Sequence, residues 1–175
     1  YHEELAGVIV EPLQRVIPPA AGFLEGLREV TSRLHVPLIF DEIVTGFRFA
    51  YGGAQELYGI TPDMCTLGKA VGGGFPLSAI AGSADIMEHF APSDPGAPFV
   101  MQEGTLNGNP IASVAGLATL KVLRREGTYE RLFATGNKLK EALTRLLYEA
   151  EMPAQVVGEA PMFDDIFTDH EITNY

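Results

Sequence analysis

Glu11, Asp41 and Lys69 are the residues of this chain whose types and spacing could do chemistry together. Each follows a short apolar run: Gly7-Val8-Ile9-Val10 ends on Glu11, Pro37-Leu38-Ile39-Phe40 ends on Asp41, and Thr66-Leu67-Gly68 leads to Lys69. If the runs are parallel strands, an amine and two carboxylates project from one edge of one sheet, where open α/β sheets bind ligands. A buried amine facing a carboxylate there points to carbonyl chemistry through a Schiff base, with pyridoxal phosphate as the obvious aldehyde.

Each residue also has a plainer reading. Most lysines are solvated surface charges; Lys69 differs because Gly72-Gly73-Gly74 follow it, and absent side chains let a backbone approach a flat ligand closely. A P-loop fails on order, since its glycines precede Gly-Lys-Ser/Thr, whereas here they follow and Ala70 replaces the hydroxyl. Asp41, followed by Glu42, either caps a turn or binds a protonated pyridine nitrogen. An opposite charge within about 4–6 Å favours that charged form. Glu11 either supports a cofactor site or caps the turn before Pro12.

The elements that must position these groups read as α/β. Residues 23–35 carry Phe23, Leu27, Val30 and Leu34 at helical spacing between the first two strands, the size of a right-handed βαβ unit. A glycine- and aromatic-rich loop with a short helix at 54–58 precedes a third strand at 64–67. Residues 77–81 form a fourth strand, antiparallel because its connection is too short for a crossover. Ser83 is expected to cap a short helix, and residues 91–108 form a long loop. Asn109 suits an N-cap and Pro110 the first turn of a helix to Arg125, apolar on nearly every side and so expected to be buried. Thr128 starts an amphipathic helix with Leu132, Leu139, Leu143 and Leu146 on one stripe, although Gly136 costs roughly 1 kcal/mol there. Short strands at 155–157 and 162–167 begin a smaller unit.

With 175 residues, 46% hydrophobic and 20% charged, the composition is that of a folded domain. A net charge of −11 argues against nucleic acid or an anionic membrane as partner. No apolar run approaches the roughly 20 residues of a membrane span. Cys65 is the single cysteine, which excludes a disulfide framework or cysteine metal site within the sequence and fits a reducing cytoplasmic setting. The sequence begins on Tyr1 rather than Met, and it reads as a piece of a longer protein.

Leu38-Ile39-Phe40-Asp41-Glu42, Thr45-Gly46-Phe47-Arg48, Thr66-Leu67-Gly68-Lys69 with its glycines, and Gly104-Thr105-Leu106-Asn107-Gly108-Asn109-Pro110 together resemble the class III pyridoxal-phosphate aminotransferases. The nearest branch is that of the glutamate-1-semialdehyde 2,1-aminomutases. The resemblance implies the fold type I of pyridoxal-phosphate (PLP) transferases. Residues 1–126 would be the second half of the large domain, 127–152 a connecting helix and 153–175 the start of the small C-terminal domain. It implies amino-group transfer, aminomutase-like or acting on another amino acid or amine, with Lys69 forming the Schiff base, Asp41 on the pyridine nitrogen and Ile43 against the ring; a non-catalytic homologue kept for assembly is the alternative. Thr105 would reach the phosphate of the neighbouring subunit's cofactor, making a homodimer the working unit, and Glu42, Gly104 and Asn109 would give support. Two departures bear on specificity. Val44 stands where many ω-aminotransferases carry Gln, as in the aminomutase branch, and the short stretch between Pro12 and Pro18 lacks the gating segment of ornithine-type enzymes. Alone, the segment is expected to bind cofactor poorly and to be inactive.

Overall fold

The alternation Leu38-Ile39-Phe40-Asp41-Glu42 decides how the sheet is built. In the computed structural model, which describes residues 2–172, this run is strand β2 (Leu38–Glu42). It lies between β1 (Val8–Val10) and β3 (Met64–Leu67), with β4 (Ala79–Gly82) outside β3. The first three strands are parallel, and β4 runs antiparallel to β3 as its short connection requires. β2 runs one residue past Asp41 because Glu42 is itself buried.

Leu38 and Phe40 are fully buried with Cys65 and with Leu24 of helix α1 (Phe23–Arg33), and Val8, Val10, Leu27 and Tyr58 close around them. Each such side chain contributes on the order of 1.5–3 kcal/mol. The register turns Ile9, Ile39, Asp41, Thr66 and Ile80 to the opposite face, where Ile9 is 63% and Ile80 40% exposed.

Three helices present faces other than those expected. On α1, Phe23 and Val30 are exposed, while Leu24 and Thr31 are buried. Arg28 sets that rotation by pairing with Asp63 at 2.9 Å, and Thr31 returns its hydroxyl to the Leu27 carbonyl at 2.8 Å. Helix α4 (Pro110–Leu123) is not buried all round: Ala112 and Gly116 are, but Ile111, Val114 and Leu117 face outward. Its small residues meet the 3-10 turn Lys69–Gly72, and among the described residues no second layer covers its outer face. Along α5 (Thr128–Glu149), Leu132, Leu139 and Leu146 of the expected stripe are exposed. Leu143 of that stripe is partly covered as expected, together with Phe133, Gly136, Lys140 and Leu147.

The caps follow the expected chemistry at α4, where the Asn109 side chain accepts from the Ile111 and Ala112 amides at 3.0 and 3.2 Å. Ser83 occupies the cap position of α3 (Ala84–Met87), but its side chain makes no capping bond. α2 (Gly53–Tyr58) is the short helix of the glycine-rich loop. The terminal unit is a hairpin of β5 (Gln155–Glu159) and β6 (Met162–Ile166). Gly136 explains itself here: a Cβ at that position would run into the Ala160 carbonyl, so the glycine lets the hairpin tip press onto α5. Residues 173–175 of the expected small domain and Tyr1 lie outside the described residues. No helix among the described residues is long and apolar enough to cross a membrane.

Candidate active site

Parallel register puts Val10 beside Phe40 and Asp41 beside Thr66. Glu11, Asp41 and, two residues beyond Leu67, Lys69 therefore emerge at the same end of neighbouring strands, as expected from their spacing. Lys69 opens the 3-10 turn with φ 44°, a left-handed conformation that costs a non-glycine residue about 1–3 kcal/mol. Its side chain is exposed rather than buried, and among the described residues it has no hydrogen-bond or ion-pair partner. The reason is the cover: α1 packs on the Leu38–Phe40 face, and Ile9 and Ile80 stay open on the face that carries Asp41. Glu11 is likewise exposed and unpartnered among the described residues.

Asp41 is held by two donors on one oxygen. Its Oδ1 accepts the Ile43 amide at 3.0 Å and the Thr66 hydroxyl at 2.9 Å. No described residue donates to Oδ2. Ile43 lies against the peptide that leads to Lys69, since its Cδ1 would be 3.0 Å from any Cβ at Gly68. Glycine at 68 is thus what lets the aspartate's turn and the lysine's turn meet.

Directly behind this pair, Glu42 is fully buried. Its Oε2 accepts the Thr45 hydroxyl at 3.0 Å and the Ala54 amide at 2.7 Å, and its Oε1 accepts the Gln55 side-chain amide at 2.8 Å. A carboxylate with this many donors tolerates burial without a cation, and it replaces the capping side chain that Gly52 lacks at the start of α2. The loop between is fastened from its far side by Tyr129, whose hydroxyl donates to the Phe47 carbonyl at 3.0 Å. Burial, with Glu56 and Tyr51 adding to it, pushes the Tyr129 pKa up to about 12, so it stays a donor. Cys65 faces the core, where burial pushes its thiol up, which makes it a poor nucleophile.

The glycines after Lys69 serve the protein's own packing. A Cβ at Gly73 (φ 57°) would collide with the Thr119 hydroxyl of α4, and one at Gly72 would touch Leu77. Close approach of a ligand is not needed to explain Gly73; Gly72 has no such clash, and Gly74 faces open space. Thr105 is not brought to Lys69 or Asp41: it sits on the exposed loop in a shallow depression with Gln102, Glu103, Gly104 and Asn107. A cavity of about 640 Å³ lies between β4 and that loop, lined by Leu77, Ile80, Met87, Phe90 and Leu106 among others. None of its lining side chains is titratable, whereas the Lys69 amine and the Asp41 carboxylate lie at the β2–β3 edge.

Sequence reasoning passed over Thr66 and Gln55. Thr66 was open to discovery, because strands aligned by their ends place a hydroxyl beside Asp41. Gln55 gave no signal, since its partner is 13 residues away across a loop.

The family model described as "Aminotransferase class-III" matches residues 1–171. A glutamate-1-semialdehyde 2,1-aminomutase of Pelotomaculum thermopropionicum is 49% identical over 99% of this chain. The chain spans 40% of that relative's length. Among solved structures, an omega-transaminase from Sphaerobacter thermophilus superposes with TM-score 0.87 at 38% identity, over 97% of this chain and 39% of its own. A glutamate-1-semialdehyde aminomutase from Pseudomonas aeruginosa PAO1 in complex with PMP gives TM-score 0.80 at 31% identity, over 97% and 39% respectively.

Proposed function

The chain belongs to the class III aminotransferase family, and from that premise we propose that its parent protein transfers amino groups with pyridoxal phosphate, in the manner of a glutamate-1-semialdehyde 2,1-aminomutase. The observation that carries the reading is the β2–β3 edge. An amine with no partner among the described residues and a carboxylate with one oxygen that none of them engages stand at the same end of parallel strands, joined by the Ile43–Gly68 contact. These residues fit the cofactor: Oδ2 of Asp41 suits a protonated ring nitrogen, and the Lys69 amine suits an aldehyde. When bound, pyridoxal phosphate supplies that aldehyde and a ring that draws electrons from the substrate's Cα.

Each residue then has a task. Lys69 is the point of covalent attachment and, once free, holds and returns a proton at Nζ. Asp41 keeps the ring nitrogen charged, and Ile43 packs against the ring. Thr105 reaches the phosphate held by a neighbouring subunit, so a homodimer is the working unit; its exposure on the loop supports this. Glu11 supports the cofactor site from β1. The reading assigns residues 1–126 to the large domain, 127–152 to the connecting helix and 153–175 to the small domain. It carries a cytosolic location, with no nucleic-acid or membrane partner.

Likeness to an omega-transaminase favours a second reading, transfer between another amino acid or amine and a keto acid. A half-reaction screen of the full-length protein with glutamate 1-semialdehyde, alanine, β-amino acids and diamines separates the two. Lys69→Ala in that protein should abolish the visible absorbance of the bound cofactor and lower turnover by at least about 10³-fold. Retained colour and turnover would reject the role of Lys69.

A further inference from the structure

Asp41 lies on a sheet face that the chain leaves partly open, and there a carboxylate is free to turn about its last side-chain bond. Two hydrogen bonds oppose that freedom, and they differ in kind. The Ile43 amide is two residues away and travels with the turn that Asp41 starts. The Thr66 hydroxyl belongs to β3, the strand that delivers Lys69 three residues later. Only the second ties the acid to the strand of the amine.

We propose that Thr66 is a positioning residue: its hydroxyl, with the Ile43 amide, commits Oδ1 of Asp41 to the protein and leaves Oδ2 as the oxygen that meets the ring nitrogen. The inference rests on the cofactor reading above and deepens it. A strand would accept valine at position 66 as readily as threonine, so shape and β-propensity alone give no reason for the hydroxyl. Its bond to Asp41 supplies that reason. Both donors are neutral, so the carboxylate keeps its full charge for the ligand while its plane is fixed. Through β3, the acid and the amine share one rigid frame, which is what a ring held at both ends requires.

The test uses the full-length protein and pyridoxamine phosphate, which binds without a covalent link and so reports the contact with Asp41. Thr66→Val should weaken pyridoxamine phosphate binding by about three- to tenfold and lower kcat by a similar factor, with the KM for substrate within about twofold. Thr66→Ala removes the same hydroxyl without adding a methyl group and serves if the valine variant folds poorly. Thr66→Ser should return both readouts to within about twofold of wild type. In an Asp41→Ala background, Thr66→Val should change neither. The assignment is overturned if the valine and alanine variants bind like wild type, if serine fails to rescue, or if the effect persists without Asp41. A coloured, Lys69-dependent wild type with indifferent Thr66 variants sinks this inference alone. A wild type that binds no pyridoxal phosphate removes the cofactor reading and takes the inference with it.

Discussion

Leu38, Phe40 and Glu42 on one face of β2, and Ile39 and Asp41 on the other, alternate along five residues yet meet opposite surroundings. The first face lies under α1 and α2, with every polar atom of Glu42 engaged. The second carries exposed Ile9 and Ile80 beside a carboxylate with one oxygen that no described residue engages. A mostly parallel sheet ordinarily has cover on both faces; here the chain's own helices cover one. Neighbouring side chains thus separate duties, the covered ones holding the strand in place and the uncovered ones remaining reachable.

That separation can be broken most forcefully at Phe40. Phe40→Ala in the full-length protein should cost about 3–5 kcal/mol of unfolding free energy, measured by urea denaturation, with kcat per folded molecule within about twofold. A loss of kcat in the folded fraction would mean that the two faces are not independent. The mirror experiment is Asp41→Ala, expected to lower kcat by about 10²–10³-fold, or roughly 2.7–4 kcal/mol, while the Schiff base with Lys69 still forms and the denaturation midpoint stays near wild type. An unchanged rate would exclude Asp41 as the partner of the ring nitrogen. Glu42→Ala gives the smallest effect and sharpens the boundary, because this residue belongs to the covered face but ends at the reactive edge. Stripping the Ala54 and Gln55 donors of their acceptor should cost about 1–3 kcal/mol of stability and leave the absorbance spectrum intact. A spectral change would extend the site to the α2 side.

Local chemistry made much of this legible. The end of β1 just before Glu11, the antiparallel β4, and the Asn109-Pro110 helix start follow from residue types within a few positions, whereas β2 continues one residue past Asp41. The faces of α1 and α5 did not follow, because each helix carries two plausible apolar stripes and the choice belongs to a distant neighbour. For α1 that neighbour is Asp63, which seizes Arg28; for α5 it is the turn at Ala160. The apolar surround of α4 suggested burial, but hydrophobicity states a need for cover and not who provides it. At the site, the Lys69–Asp41 pairing of edges was readable, whereas the left-handed φ of Lys69 and the donors around Glu42 depend on contacts between separate loops.

Gly136 sets a spacing rule for anyone who would splice a different C-terminal module onto this scaffold. Since peptide backbone at Ala160, rather than a pliant side chain, fills the space a methyl group would claim, even alanine at 136 forces the ribbon's tip and the helix apart. A graft that keeps this glycine inherits the native seating angle, and one that replaces it begins from a different geometry.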